Sequence, residues 1–380
     1  MRAWYFSENA YPYLPDPATY ESIRVNLPNR YYDPKVGAAL YDRYLEEWQC
    51  ADEMGLEVMI NEHHQTATNL NPSAAVVAAA LAQLTKNARI LILGSPIANR
   101  RDPVRLAEEM AMIDNYSRGR LECGFVRGVP FEISAVNSKP VHMEERMREA
   151  HDLIVKAWTS HDGPFNWEGK YFHHRQVNIW PRPYQQPHPP IWITVKSPHQ
   201  IVWNAELGHV AATFLTGYKE TKVIFDTYRN RRRELGLPMN EDRLAYAALI
   251  YTGETDEEGF AGAEKLLWYL HSNKVPPQFK NPPGYASPQT TAKLLRGAAT
   301  AFDRSSPLET CIEEAIVFAG SPETVYQQIR RHYESVGGYG HLLIMGQAGF
   351  LEHDETVRGI KLFATEVYPR LKELRLAVAA

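Results

Sequence analysis

Short apolar bursts and longer amphipathic runs take turns along the chain. Residues 2–6, 57–60, 90–93, 121–125, 191–195, 210–214, 244–251 and 341–345 are dense in aliphatic and aromatic residues and read as strands. Between them, apolar positions recur at helical spacing. Val36, Leu40, Tyr44 and Trp48 fall at i+4 steps, Asp33-Pro34 supplies a cap and a first-turn proline, and Gly55 ends the run. Helices are also expected over 72–84, 103–115, 143–158, 198–207, 221–235, 256–273, from Ser321 to about Val336, and over 354–374. Eight strands alternating with helices predict an α/β fold, a (β/α)8 TIM barrel with insertions. An open doubly wound sheet is the alternative, and the absence of GxGxxG after an early strand weakens it.

Three stretches break the rhythm, at about 8–32, 163–190 and 274–307. The first is rich in Pro, Tyr and Asn, and is long for a structureless connection, which is common in functional loops. In the second, residues 165–171 suggest a hairpin turning at Gly169, and the prolines from Pro181 to Pro190 keep the chain extended. The third carries Pro276-Pro277 and Pro282-Pro283, with a short helical piece near 289–297. These stretches make the 380 residues one barrel with insertions rather than two or three domains.

Composition narrows the function. With 41 basic and 45 acidic residues the net charge is −4, without the basic excess of a dedicated nucleic-acid binder. Three scattered cysteines in no CxxC pattern fit a reducing cytoplasm better than a disulfide framework or a zinc site. The longest apolar run, residues 74–82, is about half of the roughly twenty residues a membrane span needs. The apolar stretch before Glu8 is too brief for a signal peptide. Aromatics are plentiful: 8 Trp, 21 Tyr and 13 Phe. At the mouth of a barrel such flat rings suit a flat cofactor and an apolar substrate. Met110, Met112, Met143 and Met147 read as core, and Arg231-Arg232-Arg233 as the solvated end of a helix.

In a barrel, chemistry belongs at the C-terminal ends of the strands. Four such loops carry candidates. After strand 2 comes Glu62-His63-His64. Two histidines and an acid there suit acid/base work near neutral pH, although a hydrogen-bonded structural pair reads equally well from the tripeptide alone. Zinc has no HExxH spacing or third ligand to support it, so no metal site is expected. After strand 3, Gly94-Ser95 would let the backbone approach a flat ligand, or simply turn. After strand 4, Val126-Arg127-Gly128 offers an arginine to an anionic group, or to a salt bridge. After strand 5, Lys196-Ser197-Pro198-His199-Gln200 starts a helix whose free amides favour phosphate, or merely caps it.

These loops, in this order, resemble the bacterial-luciferase family of flavin-dependent monooxygenases. The most specific stretch runs from Asn61 to Gly128. It includes Asn71-Pro72 before an alanine-rich helix, Asp102-Pro103-Val104-Arg105-Leu106-Ala107-Glu108-Glu109, Ser117-Arg118-Gly119-Arg120 and Gly124-Phe125-Val126-Arg127-Gly128. Gly320-Ser321-Pro322-Glu323-Thr324 and the tail around Val367-Tyr368-Pro369 match the family's style as well. The resemblance implies FMN at the barrel mouth, with His63 as the acid/base residue flanked by Glu62 and His64. It places Gly94-Ser95 where the family often has a cis peptide under the flavin ring. It assigns Val126 and Arg127 to the flavin pocket, and Lys196, Ser197 and Gln200 to the phosphate loop.

It further implies reduced FMN as a diffusible co-substrate, a separate NAD(P)H:flavin reductase, molecular oxygen, a small organic substrate and a homodimer. Residues 274–307 would form a lid. Val126 stands where luciferase has a reactive cysteine and Lys196 where it has an acid, so light emission is not implied. Two rival readings are hydride transfer with a deazaflavin coenzyme and a non-catalytic flavin-binding subunit.

Overall fold

The computed structural model describes residues 1–195, 198–272, 274–295 and 303–375. Its strands are β1 (Arg2–Ser7), β2 (Glu57–Ile60), β3 (Ile90–Pro96), β4 (Leu121–Val126), β5 (Phe165–Glu168), β6 (His173–Val177), β7 (Ile191–Thr194), β8 (Val210–Phe214), β9 (Leu244–Thr252), β10 (Val317–Gly320) and β11 (His341–Gln347). Eight of them, β1, β2, β3, β4, β7, β8, β9 and β11, are parallel to their neighbours in that order, and β11 returns to β1. The sheet therefore closes into the expected barrel. β5 and β6 form a separate antiparallel hairpin.

Side chains alternate across the barrel wall, as strand geometry requires. On β1, Ala3 and Tyr5 join the layer between sheet and helices, while Trp4 and Phe6 belong to the interior cluster. The interior is a packed core. At its N-terminal end Trp4, Trp192 and His341 meet, with ring centroids 4.6–5.9 Å apart. The Trp4 indole N–H donates to His341 Nδ1 at 3.0 Å, and the Trp192 indole to buried Glu122. Burying these large rings stabilises the barrel by roughly 1.5–3 kcal/mol each.

Four helices matter for the argument: α1 (Pro34–Glu53), α2 (Ala74–Leu84), α3 (Pro103–Tyr116) and α4 (Met143–Thr159). Asp33 and Asp102, each directly before a first-turn proline, accept from first-turn amides of α1 and α3. No helix among the described residues is long and apolar enough to cross a membrane.

Several elements differ from expectation. β3 extends past Leu93 to Pro96, because Gly94 lets the strand lie against β4: a Cβ there would sit 2.4 Å from Val126 Cγ1. β10 was not foreseen, since four residues carry too little periodicity. It pairs with Leu249–Thr252, the far half of the nine-residue β9. The last helix is interrupted by a wide turn at Phe363–Val367 before Tyr368–Lys372, where Pro369 has no amide to donate to a regular helix. Met112 is exposed, unlike the other three methionines. Arg232 is buried, donating to the carbonyls of Ala205 and Pro238 at 2.7–3.1 Å, so it is a structural clamp within the arginine run.

Candidate active site

The loops at the C-terminal ends of the strands line a cavity of about 320 Å³, open to solvent. Leu93, Gly94, Val126 and Phe214 form apolar wall, and His63, Arg127 and Gln200 bring polar groups to it. The insertion at 8–32 contributes Arg24, and the one at 274–307 contributes Tyr285 and Arg304.

β2 delivers Glu62-His63-His64, and the three side chains go to different places. His63 lines the cavity. Its Nδ1 lies 2.6 Å from Glu132 Oε1, and its ring lies nearly parallel to Phe131 at 6.4 Å. Glu132 is buried and belongs to a short turn, Pro130–Glu132, in the loop after β4. A buried carboxylate on Nδ1 fixes the orientation of the imidazole. An ionised Glu132 accepts from Nδ1–H and leaves the Nε2 lone pair to take a proton.

Glu62 is a buried hub. Both its oxygens accept from Arg100 Nη2 at 2.9 Å, and Oε2 also accepts from the Ala74 amide at the start of α2, at 3.1 Å. Oε1 lies 3.2 Å from His64 Nε2, and that hydrogen bond raises the His64 pKa above the usual imidazole value. His64 is not among the residues lining the cavity. Glu62 and His64 thus hold the loop to α2 and to the loop after β3; Glu62 also lines the cavity, but both its oxygens are taken by Arg100, and His63 brings the imidazole to the wall.

Gly94 lies on the wall and packs against Val126, directly after a cis peptide bond between Leu93 and Gly94. The cis bond is one residue earlier than the Gly94-Ser95 pair would suggest. Ser95 is buried in β3 and does not line the cavity. Arg127 lies over the Tyr285 ring at 4.1 Å, and the Tyr285 hydroxyl donates to the Gly128 carbonyl at 3.1 Å, tying the third insertion to the loop after β4. Gln200 lines the cavity; Lys196 and Ser197 fall outside the described residues.

Glu132 and Arg24 were not among the residues expected from the sequence. Both sit in irregular loops where spacing carries no information. A proline opening a short turn with an acid in it, Pro130-Phe131-Glu132, is the one local cue.

Residues 27–340 match the model of the luciferase-like monooxygenases. The chain belongs to that family and is a flavin-dependent oxidoreductase acting as a monooxygenase. Among curated relatives, 2,5-diketocamphane 1,2-monooxygenase 1 of Pseudomonas putida is 23% identical over 375 residues, covering 91% of this chain and 97% of that protein. The oxygenase component of the flavin-dependent trigonelline monooxygenase of Acinetobacter baylyi is 32% identical over 174 residues, 45% of this chain and 47% of that one.

Of solved structures, the monooxygenase RslO1 of Streptomyces bottropensis superposes with a TM-score of 0.73 at 22% identity, over 88% of this chain and 94% of that one. The oxygenating constituent of 3,6-diketocamphane monooxygenase of Pseudomonas putida, in complex with FMN, gives 0.71 at 21% identity, over 93% and 97%. These two structures share the fold.

Proposed function

We propose that this chain is the oxygenase half of a two-component system, using reduced FMN delivered by a separate reductase and molecular oxygen to oxygenate a small organic substrate. The observation that carries the reading is the His63–Glu132 pair, held at 2.6 Å in the wall of a mouth-side cavity that also contains Gly94, Val126 and Arg127. The "oxygenase component" in the name of the trigonelline relative supports a separate reductase. The residues fit the cofactor. Gly94 and Val126 offer a wall without bulky projections for a flat ring, and Arg127 offers a guanidinium for the phosphate.

When bound, reduced FMN supplies the two electrons that take one oxygen atom to water while the other enters the substrate. The chain's own part is to bind, to orient and to exclude water. His63 moves the proton at Nε2, and Glu132 holds the ring in place and balances the imidazolium charge. Tyr285 and Arg304 come to the cavity from the third insertion, which would serve as its cover. The homodimer and the cytoplasmic setting belong to the same proposal.

Anaerobic titration with reduced FMN, followed by oxygen and a panel of candidate substrates, tests the reading. Saturable binding and oxygen uptake that rises with substrate are expected. Failure to bind FMN in either oxidation state overturns it, and tight binding of a deazaflavin instead moves the chain to hydride transfer.

A further inference from the structure

Among the described residues, the cavity arginine Arg24 makes no ion pair within 4.0 Å. Arg24 belongs to the first insertion and is only 3% exposed. Among the described residues its Nε and Nη2 have no hydrogen-bond partner. Its guanidinium is 5.6 Å from the ring centroid of Phe131 and 5.2 Å from that of Tyr269, whose side chain also hydrogen-bonds to it. The segment is pinned in place. Ser22 Oγ donates to the Lys274 carbonyl at 2.6 Å, and Thr66 Oγ1 donates to the Ile23 carbonyl at 3.3 Å. The nearby acid, buried Glu8, accepts from Asn61 at 3.1 Å and Asn69 at 3.4 Å and makes no ion pair within 4.0 Å. Arg304, on the same cavity, also has a buried Nη1 without a partner.

A desolvated guanidinium is costly unless something pairs with it. The aromatic contacts and the hydrogen bond with Tyr269 offset part of that cost and leave Nε and Nη2 unmet. The two unmet atoms matter here. Nε–H and one N–H of Nη2 point from the same edge of the planar group, as parallel donors spaced to receive both oxygens of a carboxylate. Phe131 touches both this arginine and the His63 ring, so an anion held here would have its body beside the acid/base residue.

We infer that Arg24, assisted by Arg304, is the anion-recognition point of the substrate site, and that the substrate is a small carboxylate with a flat or apolar body. The inference rests on the oxygenase reading of the cavity. A flavin phosphate presents the same chemistry, and the experiment separates the two sources.

The purified chain is titrated calorimetrically with benzoate, phenylacetate and hexanoate, each against its neutral amide. The acid should bind about tenfold or more tightly than the amide in at least one pair, in keeping with a charge-assisted bidentate contact. Arg24→Met should abolish that preference, and Arg24→Lys should keep part of it. Neither variant should change the ratio of FMN to riboflavin affinity. Removing an unpaired buried charge should leave the melting temperature of Arg24→Met at or above that of the parent. If Arg24→Met does not fold, Arg24→Lys carries the titration and must show the weakened preference.

Equal binding of acid and amide in all three pairs overturns the inference. So does a collapse of the FMN-to-riboflavin ratio, which assigns Arg24 to the flavin phosphate, or a lowered melting temperature with the acid preference intact. The titration needs no flavin. Carboxylate binding through Arg24 without any FMN binding would sink the oxygenase reading alone, and FMN binding without carboxylate preference would sink the anion site alone.

Discussion

His341 offers a quantitative test of how the barrel interior is built. It is 4% exposed and both ring nitrogens are engaged. Nδ1 accepts from the Trp4 indole, so the proton resides on Nε2, which faces the Asp242 carbonyl at 2.9 Å. A second proton has no place, and burial lowers the pKa from 6.5 to about 3. The folded state therefore demands a neutral ring. Its contribution is complete above the unfolded value of 6.5 and is lost as pH falls below that, down to about 3.

At about pH 5 the unfolded imidazole lies roughly 1.5 units below its own pKa, and each unit is worth about 1.36 kcal/mol. The fold then loses about 2 kcal/mol through this one residue. His341→Asn removes the titration and leaves an oxygen to accept from Trp4. Urea unfolding of both proteins at about pH 7.5 and about pH 5 should show the parent losing about 2 kcal/mol more than the variant. Buried Glu47 and Asp114 and half-buried Glu57, whose pKa values are raised by desolvation, add stability as pH falls, but they do so in both proteins and cancel in the difference. Equal pH dependence in the two proteins would refute the reasoning.

His63→Ala should lower turnover by about 10²–10⁴ while FMN affinity is kept; unchanged turnover removes the acid/base assignment. Glu132→Gln should cost about 1.5–3 kcal/mol of the same step, and combining it with His63→Ala should add little, because the carboxylate acts through the ring. Arg127→Ala should weaken FMN by about tenfold or more and riboflavin hardly at all, read from the two titrations side by side. Gly94→Ala should destabilise the chain by about 1–3 kcal/mol in urea melts, and pairing it with Val126→Ala should recover most of the loss by clearing the 2.4 Å contact.

The sequence alone determined the barrel and the loops that matter. The barrel strands and their helices announce themselves through periods of two and 3.6, and the caps Asp33 and Asp102 through the proline that follows each. Those signals are local, so they survive without knowledge of the fold. Residues that look alike in sequence were sorted only by tertiary structure. Glu62, His63 and His64 are consecutive, yet Arg100 and the α2 amide claim Glu62, Glu62 claims His64, and only His63 has its imidazole in the cavity wall. Its partner Glu132 is 69 positions away, and Arg24 reaches the same cavity from an insertion with no periodicity. Pairings of that kind depend on how closed strands bring distant loops to one mouth, and no spacing along the chain encodes that distance.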